Sequence, residues 1–289
     1  MKQRIITGII LIIIMLPILL FAQTPVLPIA IAVGSVIAMF EIMRCIGLQK
    51  AYVFAIPLYV LAASLPFLVR LLALGSLNAT VTPETPSPQL AQYASVLTIV
   101  MLLYFFTVAI FSRGKYHLSD VCVLFVTASY ILLGFNSIIV MHDNEVGGHI
   151  LHFAIFISAW MTDVFAYFCG MLFGRGGKHK LIPDVSPKKT VEGSIGGTVF
   201  CIIGMMIFGW LCNYFTNYDS NIIMFALAGV VASIVSQIGD LLMSYVKRHY
   251  GIKDFSQLFP GHGGVLDRFD SILAVSIALM CLTTFVNFF

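Results

Sequence analysis

The stretch SYVKRHYGIKDFSQLFPGHGGVLDRFDS, Ser244–Ser271, runs without a break into ILAVSIALMCLTTFVNFF, Ile272–Phe289. The first part holds seven charged residues: Lys247, Arg248, Lys253, Asp254, Asp267, Arg268 and Asp270. The whole chain has only 29, 16 basic plus 13 acidic. The second part holds none, and its length approaches the roughly 20 apolar residues of a helical bilayer crossing. A quarter of the charge is therefore packed against the edge of a membrane segment. The rest of the chain has the same apolar character, being 60% hydrophobic and 10% charged with a mean hydropathy of +0.99. Soluble domains carry about 25% charged residues, so composition excludes a soluble enzyme and predicts an all-α, polytopic integral membrane protein.

About nine spans are expected, near 5–22, 25–43, 51–72, 90–111, 119–140, 150–173, 194–216, 221–246 and 268–289. The basic residues test this count. Lys2, Arg4, Arg44, Lys50, Arg113, Lys115, Arg175, Lys178, Lys180, Lys188, Lys189, Lys247, Arg248, Lys253 and Arg268 all fall on one side, and only Arg70 falls on the other. Cytoplasmic loops carry the excess of Lys and Arg, which places the N-terminus in the cytoplasm and the C-terminus outside. The Pro-rich Asn78–Gln89 reads as a solvated outer loop and Met141–His149 as an acidic one. Residues 1–150 are expected to form an N-terminal region of about five spans. Residues 151–289 are expected to form a catalytic region with two cytoplasmic loops, 174–193 and 247–267. The six cysteines form no CxxC pair and read as small core residues.

Asp240, Ser244 and Lys247 are spaced i, i+4, i+7 and share a helix face, with Arg248 beside it. An aspartate two turns inside an apolar run costs about 2.5–3.5 kcal/mol on insertion scales unless paired, hydrated or metal-bound. A structural pair with Lys247 or Arg248 is one reading of Asp240, and a metal or substrate ligand is the other. Asp267 and Asp270, i, i+3 at the start of the last span, are favoured there by the helix dipole. With Asp240 they make three acids among cations, an arrangement suited to a hard divalent cation shared with phosphate oxygens. His262, Gly263 and Gly264 let the backbone approach something closely. In the other loop Ser186, Lys188, Lys189 and Thr190 precede a glycine-bearing helix start and suit phosphate. GRGGK, Gly174–Lys178, lacks the Walker A spacing.

Asp163, Tyr167, Gly170 and Gly174 share one face, with Lys188 or Lys189 as candidate partners for Asp163; its role is structural or open. Gly193, Gly196 and Gly197 suit close helix packing. His149 and His152 read as interfacial side chains, and Glu41 is expected to pair with Arg44.

From Ser244 to Asp270 the pattern S-Y-V-K-R, K-D and H-G-G-V-L-D-R-F-D resembles the signature of the phosphatidate cytidylyltransferases, or CDP-diacylglycerol synthases. SPKKTVEGSIGG, Ser186–Gly197, and DVFAYFCG, Asp163–Gly170, resemble the upstream segments of that family. The resemblance implies a nucleotidyltransferase of phospholipid biosynthesis that joins CTP and phosphatidate to give CDP-diacylglycerol and pyrophosphate. It implies Mg²⁺, or another divalent cation such as Mn²⁺, on Asp240, Asp267 and Asp270, with Lys247, Arg248, Lys253 and Arg268 on phosphates. Expected partners are CTP, phosphatidic acid and membrane lipids, with no nucleic acid; a homodimer is compatible. The expected setting is a multi-pass protein of the cell inner membrane with its site at the cytoplasmic face. The alternatives are another membrane nucleotidyl- or phosphotransferase and a transporter. The D-x-x-D-G-x-x-A-R run of CDP-alcohol phosphotransferases is missing. The charge gathers at one face rather than at a midplane site.

Overall fold

A computed structural model of the chain describes residues 2–77, 88–144, 147–174, 179–216 and 218–289. Within them lie α1 (Lys2–Leu20), α2 (Val26–Ile46), α3 (Tyr52–Leu77), α4 (Pro88–Phe111), α5 (Leu118–His142), α6 (Gly148–Phe173), β1 (Lys180–Ile182), β2 (Ser186–Thr190), α7 (Val191–Phe215), α8 (Ile222–His249) and α9 (Leu266–Thr283). Helices α2 to α8 are long and apolar enough to cross a membrane, and α1 contributes a shorter apolar run, Thr7–Leu20. Large apolar side chains such as Ile12, Leu71, Phe111, Phe215 and Ile223 face outward. In water such a surface would be a liability; against acyl chains it is the expected one. The protein is an all-α, multi-pass membrane protein.

Residues 78–87 of the expected outer loop lie outside the described residues, as do Glu145 and Val146, and Arg175–Lys178 of the basic loop; Pro88 and Gln89 already belong to α4. The contacts divide the chain into two compact units.

The first unit comprises Met1–Glu145 and Asp254–Arg268. Its core is the meeting of α2, α3 and α5, filled by Met39, Ile42, Met43, Leu58, Leu124, Ile131 and Ile138. Phe54 stacks at an angle on Phe105, with ring centroids 5.1 Å apart, and ties α4 into the same core. Arg70, the one basic residue expected on the outer side, is fully engaged. Its guanidinium donates to the carbonyls of Ala22 (3.0 Å) and Gln23 (2.8 Å) and lies 3.2 Å from the Asp143 carboxylate.

Burial pushes the Asp143 carboxyl up to about 6, against the opposing pull of Arg70. A carboxyl whose folded value is raised holds its proton more tightly in the fold than in the unfolded chain. Its contribution to stability therefore falls as pH rises from the ordinary carboxylate range to about 6, and is flat above that. Asp143→Asn is expected to flatten this part of the melting-temperature profile of the detergent-solubilised protein. An unchanged slope between pH 4 and pH 6 would contradict the assignment.

The second unit comprises Val146–Lys253 and Phe269–Phe289. Here α6 and α7 approach at backbone distance. A Cβ built on Gly193 would lie 2.5 Å from the Ala166 carbonyl, and one on Gly197 2.8 Å from the Thr162 carbonyl. The glycines expected to serve close packing do so. Between α7 and α8 runs a polar clasp. The Gln237 amide donates to Thr198 Oγ1 (3.2 Å) and Ser233 Oγ (3.3 Å), while the Ser194 hydroxyl donates to its Oε1. Buried amides in hydrocarbon need such partners.

The last span was expected to reach Phe289, but α9 ends at Thr283. The chain turns there because the Phe288 carbonyl accepts the Asn221 amide at 2.9 Å, while the Phe289 ring packs on Gly147, Tyr218 and Phe225. His152 is 1% exposed, with Nδ1 3.3 Å from the Gly148 carbonyl. It is a core residue rather than an interfacial one, because α6 turns that face inward. The six cysteines are free thiols.

Candidate active site

The second unit gathers charge on β2, along the last turns of α8 and near the start of α9. Lys189, on β2, places Nζ 2.5 Å from Asp240 Oδ2 on α8. Asp240 Oδ1 in turn accepts the Ser244 hydroxyl at 3.4 Å, one turn on. Asp270 on α9 is buried within electrostatic range of Asp240, Lys247 and Asp163, and Lys247 is buried as well. The Asp270 carboxylate also accepts the Ser271 amide at 2.9 Å, and the Ser271 hydroxyl donates to Asp163 Oδ2 at 3.2 Å.

The hairpin that carries Lys189 is set by local chemistry. Lys180 pairs with Thr190 and Ile182 with Ser186. Pro187 is tolerated because a two-stranded sheet is all edge. Thr190 Oγ1 accepts the Gly193 amide at 3.1 Å and so N-caps α7. The His179 ring, 2.5 Å from Glu192, ties the hairpin's start to the first turn of α7. Lys188 is exposed on the same strand. Of the four residues expected on phosphate in this loop, Thr190 Oγ1 accepts the Gly193 amide and Ser186 stands opposite Ile182 in the hairpin. Lys188 and Lys189 carry the cations.

Two carboxylates whose partners the sequence left open are placed by the structure. Asp240 pairs with Lys189 rather than with Lys247 or Arg248, because β2 brings Lys189 over the end of α8. The Arg248 guanidinium instead donates to the Ile252 carbonyl at 3.0 Å. Asp163, with Lys188 or Lys189 as its candidate partners, accepts the Ser271 hydroxyl and lies within electrostatic range of Asp270.

The first unit contains the other part of the signature, residues 254–268. Asp267 Oδ2 accepts the amides of Phe255 (2.8 Å) and Gly264 (2.9 Å), closing the loop on itself. Gly263 has φ +82°, and a Cβ on it would lie 2.7 Å from Asp267 Oδ2. Gly264 has no room for a Cβ beside the Glu41 carboxylate. What approaches these glycines is thus a pair of carboxylates of the protein itself. The His262 ring lies beside Gly8, and the Pro260 carbonyl accepts the Thr7 hydroxyl at 3.1 Å. Lys253 of the second unit and Arg268 of the first are exposed.

Glu41 does not pair with Arg44 as expected. Its carboxylate accepts the Ser256 hydroxyl (2.6 Å) and the amides of Val265 (3.0 Å) and Leu266 (2.8 Å). Its partners, 215 to 225 residues away, are what sequence reasoning missed. The available signal was a carboxylate inside an apolar run with only one cation near it in sequence.

Residues 2–286 match the profile of the cytidylyltransferase family, nearly the whole chain. The chain belongs to the cytidylyltransferase family. It is 31% identical over 275 residues to a phosphatidate cytidylyltransferase of Staphylococcus haemolyticus, covering 95% of this chain and 96% of that protein. It is 30% identical over 279 residues to one of Staphylococcus aureus, with coverage of 95% and 96%. It is 34% identical over 276 residues to one of Bacillus subtilis, with coverage of 95% and 94%.

For this cytidylyltransferase the donor set matches a hard divalent cation in kind, since Asp240 and Asp270 offer only carboxylate oxygens. In number it is sparse. Among the described residues no three His, Cys, Asp or Glu side chains converge closely enough to form a shell by themselves. Mg²⁺ would suit such a site, because it is commonly held by one or two carboxylates and completes its six ligands with water and substrate phosphate.

Proposed function

We propose that the protein is a CTP:phosphatidate cytidylyltransferase of phospholipid biosynthesis, converting CTP and phosphatidate to CDP-diacylglycerol and pyrophosphate. The observation that carries this reading is the Lys189–Asp240 pair beside buried Asp270 and Lys247. Acids and cations at one place, at the end of apolar helices, suit two anionic substrates. The substrates themselves are inferred from the names of the near-full-length relatives.

A phosphatidate oxygen attacks the α-phosphorus of CTP, the new O–P bond forms, and the bond to the β-phosphate oxygen breaks as pyrophosphate leaves. The attacking group is already an anion, so no strong base is needed. The task is positioning and cancelling repulsion. Lys189 and Lys247 offset phosphate charge where the helices end. Lys188, Arg248, Lys253 and Arg268 are exposed cations suited to the triphosphate or the lipid headgroup. Asp240 and Asp270 are the proposed ligands of Mg²⁺ or Mn²⁺, and Asp267 keeps that role on sequence grounds. A bound cation would neutralise charge building on the phosphate oxygens.

CTP is a cytoplasmic solute and phosphatidate a bilayer lipid. The proposed setting is therefore the cytoplasmic face of the cell membrane, in keeping with the distribution of Lys and Arg. The test is purified protein in phosphatidate-containing micelles, given CTP and Mg²⁺. Pyrophosphate and organic-soluble cytidine in equal amounts are expected. Nucleotide movement across proteoliposomes without a lipid product would favour a transporter.

A further inference from the structure

Glu41 stands on an apolar helix and is 1% exposed, yet its three hydrogen-bond partners among the described residues are neutral donors from residues 256–266. Two of them, the amides of Val265 and Leu266, are 224 and 225 residues away in sequence. The first turn of a helix leaves its N–H groups without intrahelical partners, and α9 begins at Leu266. Three successive amides at this start point at carboxylates: Gly264 at Asp267, and Val265 and Leu266 at Glu41. The amide of Phe255, at the other end of the loop, also reaches Asp267. Gly264 is in turn the residue whose lack of a side chain admits the Glu41 carboxylate. The two acids thus fold residues 254–268 together, one from within the loop and one from α2.

We infer that Glu41 is a positioning residue for the transfer reaction, acting through the 254–268 loop on Asp267 and Arg268. This rests on the cytidylyltransferase reading above. Backbone amides and a serine hydroxyl occupy the carboxylate, so its route to the chemistry is the loop and not contact with substrate. Its negative charge is the working feature. All its partners donate, so an amide in its place turns an N–H₂ group toward one of them.

The test is Glu41→Gln in the full chain, read in two ways. Hydrogen–deuterium exchange in peptides covering 254–268 is expected to speed up by at least about tenfold, the scale of one unsatisfied buried donor, with α5 to α8 unchanged. The kcat for liponucleotide formation, per folded molecule, is expected to fall at least about tenfold. Ser256→Ala, which removes one donor and leaves the carboxylate, is expected to shift both readouts in the same direction by less. It serves as the second variant if Glu41→Gln fails to fold. Unchanged loop exchange would overturn the clamp. Faster exchange with kcat within about twofold of wild type would leave a structural brace and overturn the positioning role. Wild-type protein that forms no liponucleotide would sink the activity reading and the positioning role with it, while the exchange measurement still decides the clamp.

Discussion

Asp240→Asn is expected to lower liponucleotide formation by at least about two orders of magnitude, the scale of losing a key electrostatic group from a phosphoryl-transfer site. The carboxylate lies 2.5 Å from Lys189 Nζ and accepts the Ser244 hydroxyl. An asparagine keeps the shape and one acceptor but gives up the charge that orients Lys189 and that a divalent cation requires. The two side chains keep 24% and 28% of their surface, but Lys189 Nζ itself is buried, so the variant is expected to melt somewhat below wild type. Near-zero turnover per folded molecule is the expected result. Turnover within about threefold of wild type would remove Asp240 from the site.

Gly193→Ala is expected to destabilise the protein by about 1–3 kcal/mol, as overpacking does, and to lower activity with it. The new methyl would meet the Ala166 carbonyl at 2.5 Å, and Thr190 Oγ1 at 3.1 Å on the other side. Backbone cannot step aside as a side-chain tip can, so α7 would have to move off α6. Thr190 caps that end of α7 and Lys189 precedes it, so the same movement would disturb the pair with Asp240. Gly204→Ala is the control. Its methyl would meet the end of the Met161 side chain at 2.8 Å, which can rotate away. Thermal melts in detergent distinguish the two. Equal loss in both variants would contradict the close-packing account.

Much of the architecture could be read from periodicity and composition, because a bilayer leaves few ways to satisfy a backbone. The long apolar runs became α2 to α8, and the i, i+4, i+7 face of Asp240, Ser244 and Lys247 survives on α8. The glycines facing α6 were legible for the same reason: a small residue in such a helix has few other uses. What escaped was long-range pairing. The partner of Asp240 comes from a hairpin whose sequence, SPKKT, gives little strand signal. The partner of residues 256–266 is Glu41, where the nearby Arg44 offered a plausible local pair. Gly263 and Gly264 announced a close approach, but local sequence could not say that the approaching groups were Asp267 and Glu41. Thr190 was expected on phosphate, and the local sequence did not announce that its hydroxyl also caps α7.

The most direct measurement follows phosphorus. Purified protein is given phosphatidate and Mg²⁺ with CTP labelled at the α-phosphate, then separately at the γ-phosphate, each with and without EDTA. The α-label should enter the organic phase with cytidine, the γ-label should appear in pyrophosphate, and EDTA should abolish both. An α-label that stays in the aqueous phase, or a lipid product that forms equally well in EDTA, would contradict the account.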